Sequence, residues 1–262
     1  MNDFNLKFKE YLRAAEQGDA EAQFNLGNCY YNAKGVEQNF ELAIEWYKKS
    51  AEQGYAEAQF KMGFLYHSGE VAPQYFQLAV EWLEKAVEQN HALAQNLLAY
   101  CYEHGEGIEQ NLELAIMWYE RAADQGNLLA QFNLGCCYEN AFGVEKDTAL
   151  SVYWYKKAAE QGHSGAQVNL GVCYLRDQGM QQNYVLAFKL FEKAAKQNDS
   201  KAQLYLGNCY LNGIGVEKDV ALAEKWLQKS VESLNKLTEK DRNMVYNMLN
   251  EIDNLMGRII ND

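Results

Sequence analysis

Apolar residues along this chain fall at helical spacing, and the whole pattern then recurs. Ala22, Leu26, Tyr30 and Ala33 mark one helical stripe, and Leu42, Ala43, Trp46, Tyr47 and Ser50 mark a second. The Ala22-Gln23 pair returns at Ala58-Gln59, Ala94-Gln95, Ala130-Gln131, Ala166-Gln167 and Ala202-Gln203, always after 36 residues. A fixed period of this length is the mark of stacked helical repeats, because one helix pair cannot bury its apolar face alone. The pattern predicts an all-α chain, an α-solenoid of antiparallel helix pairs. Its six units run over 14–49, 50–85, 86–121, 122–157, 158–193 and 194–229.

Turn signals agree with two helices per unit. Gly18, Gly54, Asn90, Gly126, Gly162 and Asn198 share one position after the second helix, and only glycine and asparagine accept the left-handed helix-ending conformation readily. Asn39, Asn111, Asp147, Asn183 and Asp219 precede the second helix as N-caps. A further glycine column, Gly35, Gly107, Gly143, Gly179 and Gly215, is expected to end the first helix. Gly27, Gly63, Gly135, Gly171 and Gly207, with Ala99, allow the paired helices to approach closely. The aligned Leu42, Leu78, Leu114, Leu150, Leu186 and Leu222 are expected in the core. There, Leu114→Ala would cost about 2–5 kcal/mol. All five tryptophans (Trp46, Trp82, Trp118, Trp154, Trp226) share another column, whose sixth member is Leu190.

Both ends depart from the period. Residues 1–13 read as a capping helix with Phe4, Phe8, Tyr11 and Leu12 on one face. Residues 230–262 carry a Thr238/Asp241 start signal and a stripe of Val245, Met248, Leu249, Ile252, Leu255, Met256 and Ile259. That last helix either covers the end of the sixth unit or docks a partner.

Composition narrows the chemistry. The formal charge is −12 and unevenly spread: residues 14–121 hold 17 Asp and Glu against 6 Lys and Arg, whereas 122–229 hold 11 of each. Such an acidic half either keeps the surface solvated or favours a basic partner, and it disfavours nucleic acid. No stretch is apolar for long enough to span a membrane, and no secretory signal is seen at the N-terminus. Cys29, Cys101, Cys137, Cys173 and Cys209 fill one helical column with Leu65. They read as buried reduced thiols of a cytoplasmic protein, with Cys136 more exposed. His67, His91, His104 and His163 lack metal-ligand spacing. Neither a nucleophile elbow nor a phosphate loop is present. No cofactor, metal or catalysis is expected.

The pattern A-x-A-Q-[F/L]-x-L-G-x-x-Y, then G-V-E-x-[N/D], then L-A-x-x-W-Y-x-K-A-A-E-Q-G resembles the Sel1-like repeat, a relative of the tetratricopeptide repeat. It covers about residues 14–229 and departs locally at Gly69–Gln74 and Arg176–Gln181. The resemblance implies a right-handed superhelix with a concave inner surface, and a scaffold or adaptor that holds protein partners. By analogy with the tetratricopeptide pattern, the variable first-helix column Asn28, Phe64, Tyr100, Cys136, Val172, Asn208 faces that surface. Beside it runs Tyr31, His67, Glu103, Glu139, Leu175, Leu211. Asn25, Asn133 and Asn169, with Lys61 at the same position, either hold a bound peptide or satisfy local backbone groups. The expected groove is therefore Asn25, Asn28, Tyr31, Lys61, Phe64, His67, Tyr100, Glu103, Asn133, Cys136, Glu139, Asn169 and Val172. It would take a protein or peptide with a basic surface, in the narrowest form as a bacterial immunity or adaptor protein against a basic toxin or effector. A rival class is implied by relatives with assigned β-lactam-binding or hydrolysing activity. Those carry cysteine pairs eight residues apart, which this chain lacks.

Overall fold

The computed structural model describes residues 3–70, 74–232, 238–239 and 242–249. Among these, the helices follow one another as α1 (Asp3–Glu16), α2 (Ala20–Tyr31), α3 (Phe40–Glu52), α4 (Ala56–Ser68), α5 (Phe76–Glu88), α6 (Ala92–His104), α7 (Leu112–Asp124), α8 (Leu128–Asn140), α9 (Thr148–Glu160), α10 (Ser164–Arg176), α11 (Tyr184–Lys196), α12 (Ser200–Asn212) and α13 (Val220–Val231), with a further helical stretch at 242–249. No strand occurs among the described residues. The chain forms two compact units, residues 1–130 and 131–262. Within each, a helix packs on the next, as α2 on α3 and α3 on α4, or α10 on α11 and α11 on α12. The fold class is an all-α solenoid.

Local chemistry explains where each helix begins and ends. Asn39, Asn111, Asp147, Asn183 and Asp219 each accept a hydrogen bond from the backbone N–H three residues on, at 2.8–3.0 Å. This satisfies a donor that the first helical turn leaves open. Gly18, Gly54, Gly126, Gly162, Asn90 and Asn198 all have positive φ, as expected. The first-helix stop needs correcting. Those helices end at left-handed residues two positions before the Gly35 column, namely Ala33, Gly69, Gly105, Ala141, Asp177 and Gly213. The Gly107, Gly179 and Gly215 backbones instead press against the start of the preceding second helix, where a Cβ would meet Phe76, Thr148 or Tyr184.

The leucine column is a second correction. Leu150 and Leu186 are each 39% exposed, and Leu42, Leu78, Leu114 and Leu222 are only half-buried. They stand at the third helical residue after the N-cap, and the buried face begins one residue, or about 100°, later. Ala43, Ala79, Ala187 and Ala223 are fully buried, followed one turn on by Tyr47, Leu83, Tyr119, Tyr155, Phe191 and Leu227. The facing glycine lets these large side chains in: a Cβ on Gly27 would lie 2.7 Å from the Tyr47 ring. Leu26, Leu98, Leu134 and Leu206 complete the core from the first helices. The tryptophans are half-buried except Trp82, which is buried.

The repeated glutamine is buried too, a role its recurrence alone did not disclose. Gln23, Gln59, Gln95, Gln131 and Gln167 each accept a hydrogen bond from the side-chain amide of Gln53, Gln89, Gln125, Gln161 or Gln197, at 2.6–3.0 Å. Gln23, Gln59 and Gln167 also donate to the carbonyl eight residues earlier, in the preceding helix. Buried amides need such partners. Gln203 Oε1 is buried with none among the described residues.

At the N-terminal end, Phe8, Tyr11 and Leu12 pack on Ala15, Ala22 and Leu26; the Phe4 side chain lies outside the described residues. At the other end, residues 242–249 are helical. Val245 and Met248 are buried there with Leu204, Leu211, Ala223 and Leu227. Ile252, Leu255, Met256 and Ile259 lie outside the described residues, as does the loop at Val71, Ala72 and Pro73.

Candidate partner-binding face

In residues 1–130 the first helices α2, α4 and α6 present one connected group. Lys61 of α4 places its Nζ 4.1 Å from the centroid of the Tyr31 ring, 5.6 Å from Phe64 and 5.8 Å from Tyr47. Burial lowers the Lys61 pKa, opposed by the Glu70 carboxylate. Burial raises that of Tyr31, reinforced by the nearby Glu70 carboxylate. His67 stands edge-on to Tyr100 at 5.7 Å, and its Nε2 lies 2.8 Å from Glu106 Oε2. Tyr100 stacks on His104 at 4.1 Å. Phe64 remains 37% exposed. Helical spacing explains the grouping: positions 61, 64 and 67, one turn apart, share a face, and the 36-residue repeat sets Tyr31, His67 and Glu103 in a row.

Some predicted site residues turn out to have internal work. Asn28 Oδ1 accepts a hydrogen bond from the Tyr47 hydroxyl at 2.8 Å, and Glu103 Oε2 accepts one from Tyr119 at 2.7 Å. These bonds satisfy tyrosines whose rings are fully buried. Asn25 and Asn28 also line a cleft of about 420 Å³ with Lys7, Tyr11 and Lys34. Glu106 and Glu70, absent from the predicted set, join the group from the loops that follow α6 and α4. Only the positions of the preceding helix ends mark them in the sequence.

Residues 131–262 carry a different and less open arrangement. Cys136 Sγ and Glu139 both accept from the Tyr155 hydroxyl. Burial, with these two neighbours, drives the Tyr155 pKa well above its ordinary value. Val172 packs with Leu175 and Tyr205 against the core around Phe191. Asn133 and Asn169 are half-buried one turn earlier on α8 and α10.

Five of the thiols and two of the imidazoles serve the helix packing and its caps. All six cysteines are thiols outside any disulfide; five are buried and Cys136 is half-buried. Burial pushes the Cys101 and Cys209 thiols up to about 12 and Cys173 to about 11, which keeps them protonated and poorly nucleophilic. His91 and His163 are N-caps, each Nδ1 accepting a backbone N–H at 3.1 Å. No group of three metal-ligating side chains occurs among the described residues. No described helix is long and apolar enough to cross a membrane.

Comparison with known proteins follows this geometry closely. The Sel1 repeat model matches six times, at residues 20–55, 56–91, 92–127, 128–163, 164–199 and 200–233. A search of curated proteins gave no match. Among solved structures, a Sel1 repeat protein from Oxalobacter formigenes is 34% identical with a TM-score of 0.80, covering 92% of this chain and 69% of that one. The protective antigen c5321 of uropathogenic Escherichia coli, with an SLR fold, is 32% identical with a TM-score of 0.79. It covers 86% of this chain, which spans about half (48%) of that protein's length. The immunity protein PA5088 from Pseudomonas aeruginosa is 18% identical with a TM-score of 0.50, over 89% of this chain and 81% of that one, and shows a likeness of fold alone.

Proposed function

This chain belongs to the Sel1 repeat family, and we propose that it is a non-catalytic scaffold that binds a protein or peptide on the first-helix face of residues 1–130. One observation carries the reading. Tyr31, Phe64 and Tyr100 stand on that face, with Phe64 37% exposed, while the core is already supplied by Leu26, Met62 and Leu98. Tyr31 also packs against the core around Tyr47, but the open ring of Phe64 leaves apolar surface facing outward that the core does not use. Aromatic anchors bordered by charged groups are what peptide-binding surfaces use. Glu70 and Glu106 border this one, and the acidic excess of residues 14–121 favours a partner with a basic surface. An immunity or adaptor protein against a basic toxin or effector is the narrowest form of the reading, and charge is its support.

The test is affinity capture followed by titration with the purified partner, comparing wild type with Phe64→Ala/Tyr100→Ala. Loss of about tenfold or more in affinity, with unchanged circular dichroism, is the expected result for paired aromatic anchors. Equal binding by the double variant removes the site, and turnover of a β-lactam by the pure protein would favour the enzymatic alternative. Binding that fails to weaken between low and high salt reduces the acidic half to a solubilising surface.

A further inference from the structure

The tryptophan column performs one repeated task. Trp46, Trp82, Trp118 and Trp226 each pack against the helices just before them: Trp46 beside Ala15 and Leu26, Trp82 beside Tyr47 and Met62, Trp118 beside Leu83 and Leu98, and Trp226 beside Phe191 and Leu206. A cation three residues on lies over each of these rings. Lys49, Lys85, Arg121 and Lys229 sit 4.1, 4.1, 4.7 and 4.7 Å from the respective centroids. Trp154 differs, because Lys157 turns to the neighbouring Tyr153 at 5.7 Å.

Repeat five breaks the rule on the other side. Leu190 stands where the tryptophan belongs, against Tyr155 and Leu170. Lys193 occupies the cation position, with no ring beneath it among the described residues. A cavity of about 440 Å³ opens at this point between α9 and α11, over α10. Its floor is Leu170, Leu186 and Leu190, and Lys156, Lys189 and Lys193 stand around it. Two carboxylates also border it, Glu160 and Glu192, but Glu192 is engaged by Lys196 at 2.9 Å. The bulk that a leucine gives up relative to tryptophan is therefore left as open apolar space beneath an unused cation. The volume falls within the range of small-ligand sites.

We propose that this cavity receives a tryptophan side chain of a partner peptide, flanked by carboxylate residues, which supplies from outside the indole that repeat five lacks. The other repeats show the fit: an indole wedged between these helices under an i+3 cation is the arrangement the fold builds for itself four times. The three lysines select acidic neighbours for the incoming ring. This site is separate from the aromatic face of residues 1–130 and does not depend on it.

The probe is a fluorescein-labelled peptide Gly-Glu-Trp-Glu, followed by fluorescence anisotropy against the full chain, with Gly-Glu-Ala-Glu as its control. Wild type binds the first and not the second. L190W places the protein's own indole in the cavity and lowers affinity roughly tenfold or more, while melting at or above the wild-type temperature. K193E, at an exposed position that leaves the fold intact, weakens binding roughly fivefold or more by removing the cation and repelling the carboxylates. Equal binding of the two peptides, no binding up to millimolar peptide, or wild-type affinity in K193E overturns the proposal. So does wild-type affinity in a folded L190W.

Discussion

Leu134→Ala and Leu150→Ala test which helix face is the core, and both changes fall in one repeat, so any partial unfolding weighs on them alike. Leu134 is fully buried and Leu150 is 39% exposed. Truncating leucine to alanine removes three carbons, about 2.4 kcal/mol of transfer free energy at ~0.8 kcal/mol each. At Leu134 an enclosed void adds to that loss, so the cost is about 3 kcal/mol or more, within the usual core range. At Leu150 some six-tenths of the transfer term applies and solvent fills the gap, leaving about 1.5 kcal/mol. For a domain near 150–250 residues these correspond to melting-point drops of roughly 6–12 °C and 3–6 °C. Thermal unfolding followed at 222 nm reads both. Equal drops, or a larger one for Leu150→Ala, would refute the placement of the buried face one residue after the leucine column.

Other outcomes follow from the same coordinates. Asn111→Ala removes the cap on α7 and should destabilise by about 0.5–2 kcal/mol in urea unfolding. Ala141 holds φ at 60°, so Ala141→Gly should raise stability: it relieves ~1–2 kcal/mol of left-handed strain against ~0.5–1 kcal/mol of added chain entropy. Because folding raises the thiol pKa values of Cys101, Cys173 and Cys209 from 9.0 to about 11–12, their contribution is complete below pH 9 and is lost as pH rises through that range. The urea midpoint should accordingly be lower at pH 10.5 than at pH 8. At pH 8 a thiol reagent should modify Cys136 quickly and the five buried thiols only on unfolding; six equal rates would contradict the burial.

How much of this was legible depends on whether a signal was local. The caps at Asn39 and Asp219 and the left-handed Gly18 column were readable because one residue's backbone chemistry decides them. The second-helix stripe was legible in Ala43, Tyr47 and Ser50, all of them buried, but the leucine column at its edge was placed too deep, since leucine is more hydrophobic than the alanine beside it. What matters there is room: Ala43 can lie flat against its partner helix while Leu42 projects beside the cap. Ala33, Ala141 and Asp177 carry no glycine to mark the true end of the first helix, so the visible Gly35 column drew the boundary two residues late. At the candidate face, recurrence located Tyr31, Phe64 and Tyr100, but nothing in the sequence showed that Asn28 and Glu103 receive tyrosine hydroxyls from the next helix. Those bonds depend on which side chain reaches across at sequence separations of 19 and 16. The cavity at Leu190 was visible only as an exception in a column, and its meaning required the cations above the other rings.

The glutamine pairs bear on how such a chain can change size. Each copy brings one buried acceptor near its start and one amide donor near its end, and the two satisfy each other thirty residues apart. Excising or duplicating a whole copy thus strands no buried amide, whereas a cut inside one orphans half of a pair. A change of length in multiples of 36 residues therefore keeps every such pair intact, and the series ends at Gln203, whose counterpart thirty residues on is Ser233 rather than a glutamine.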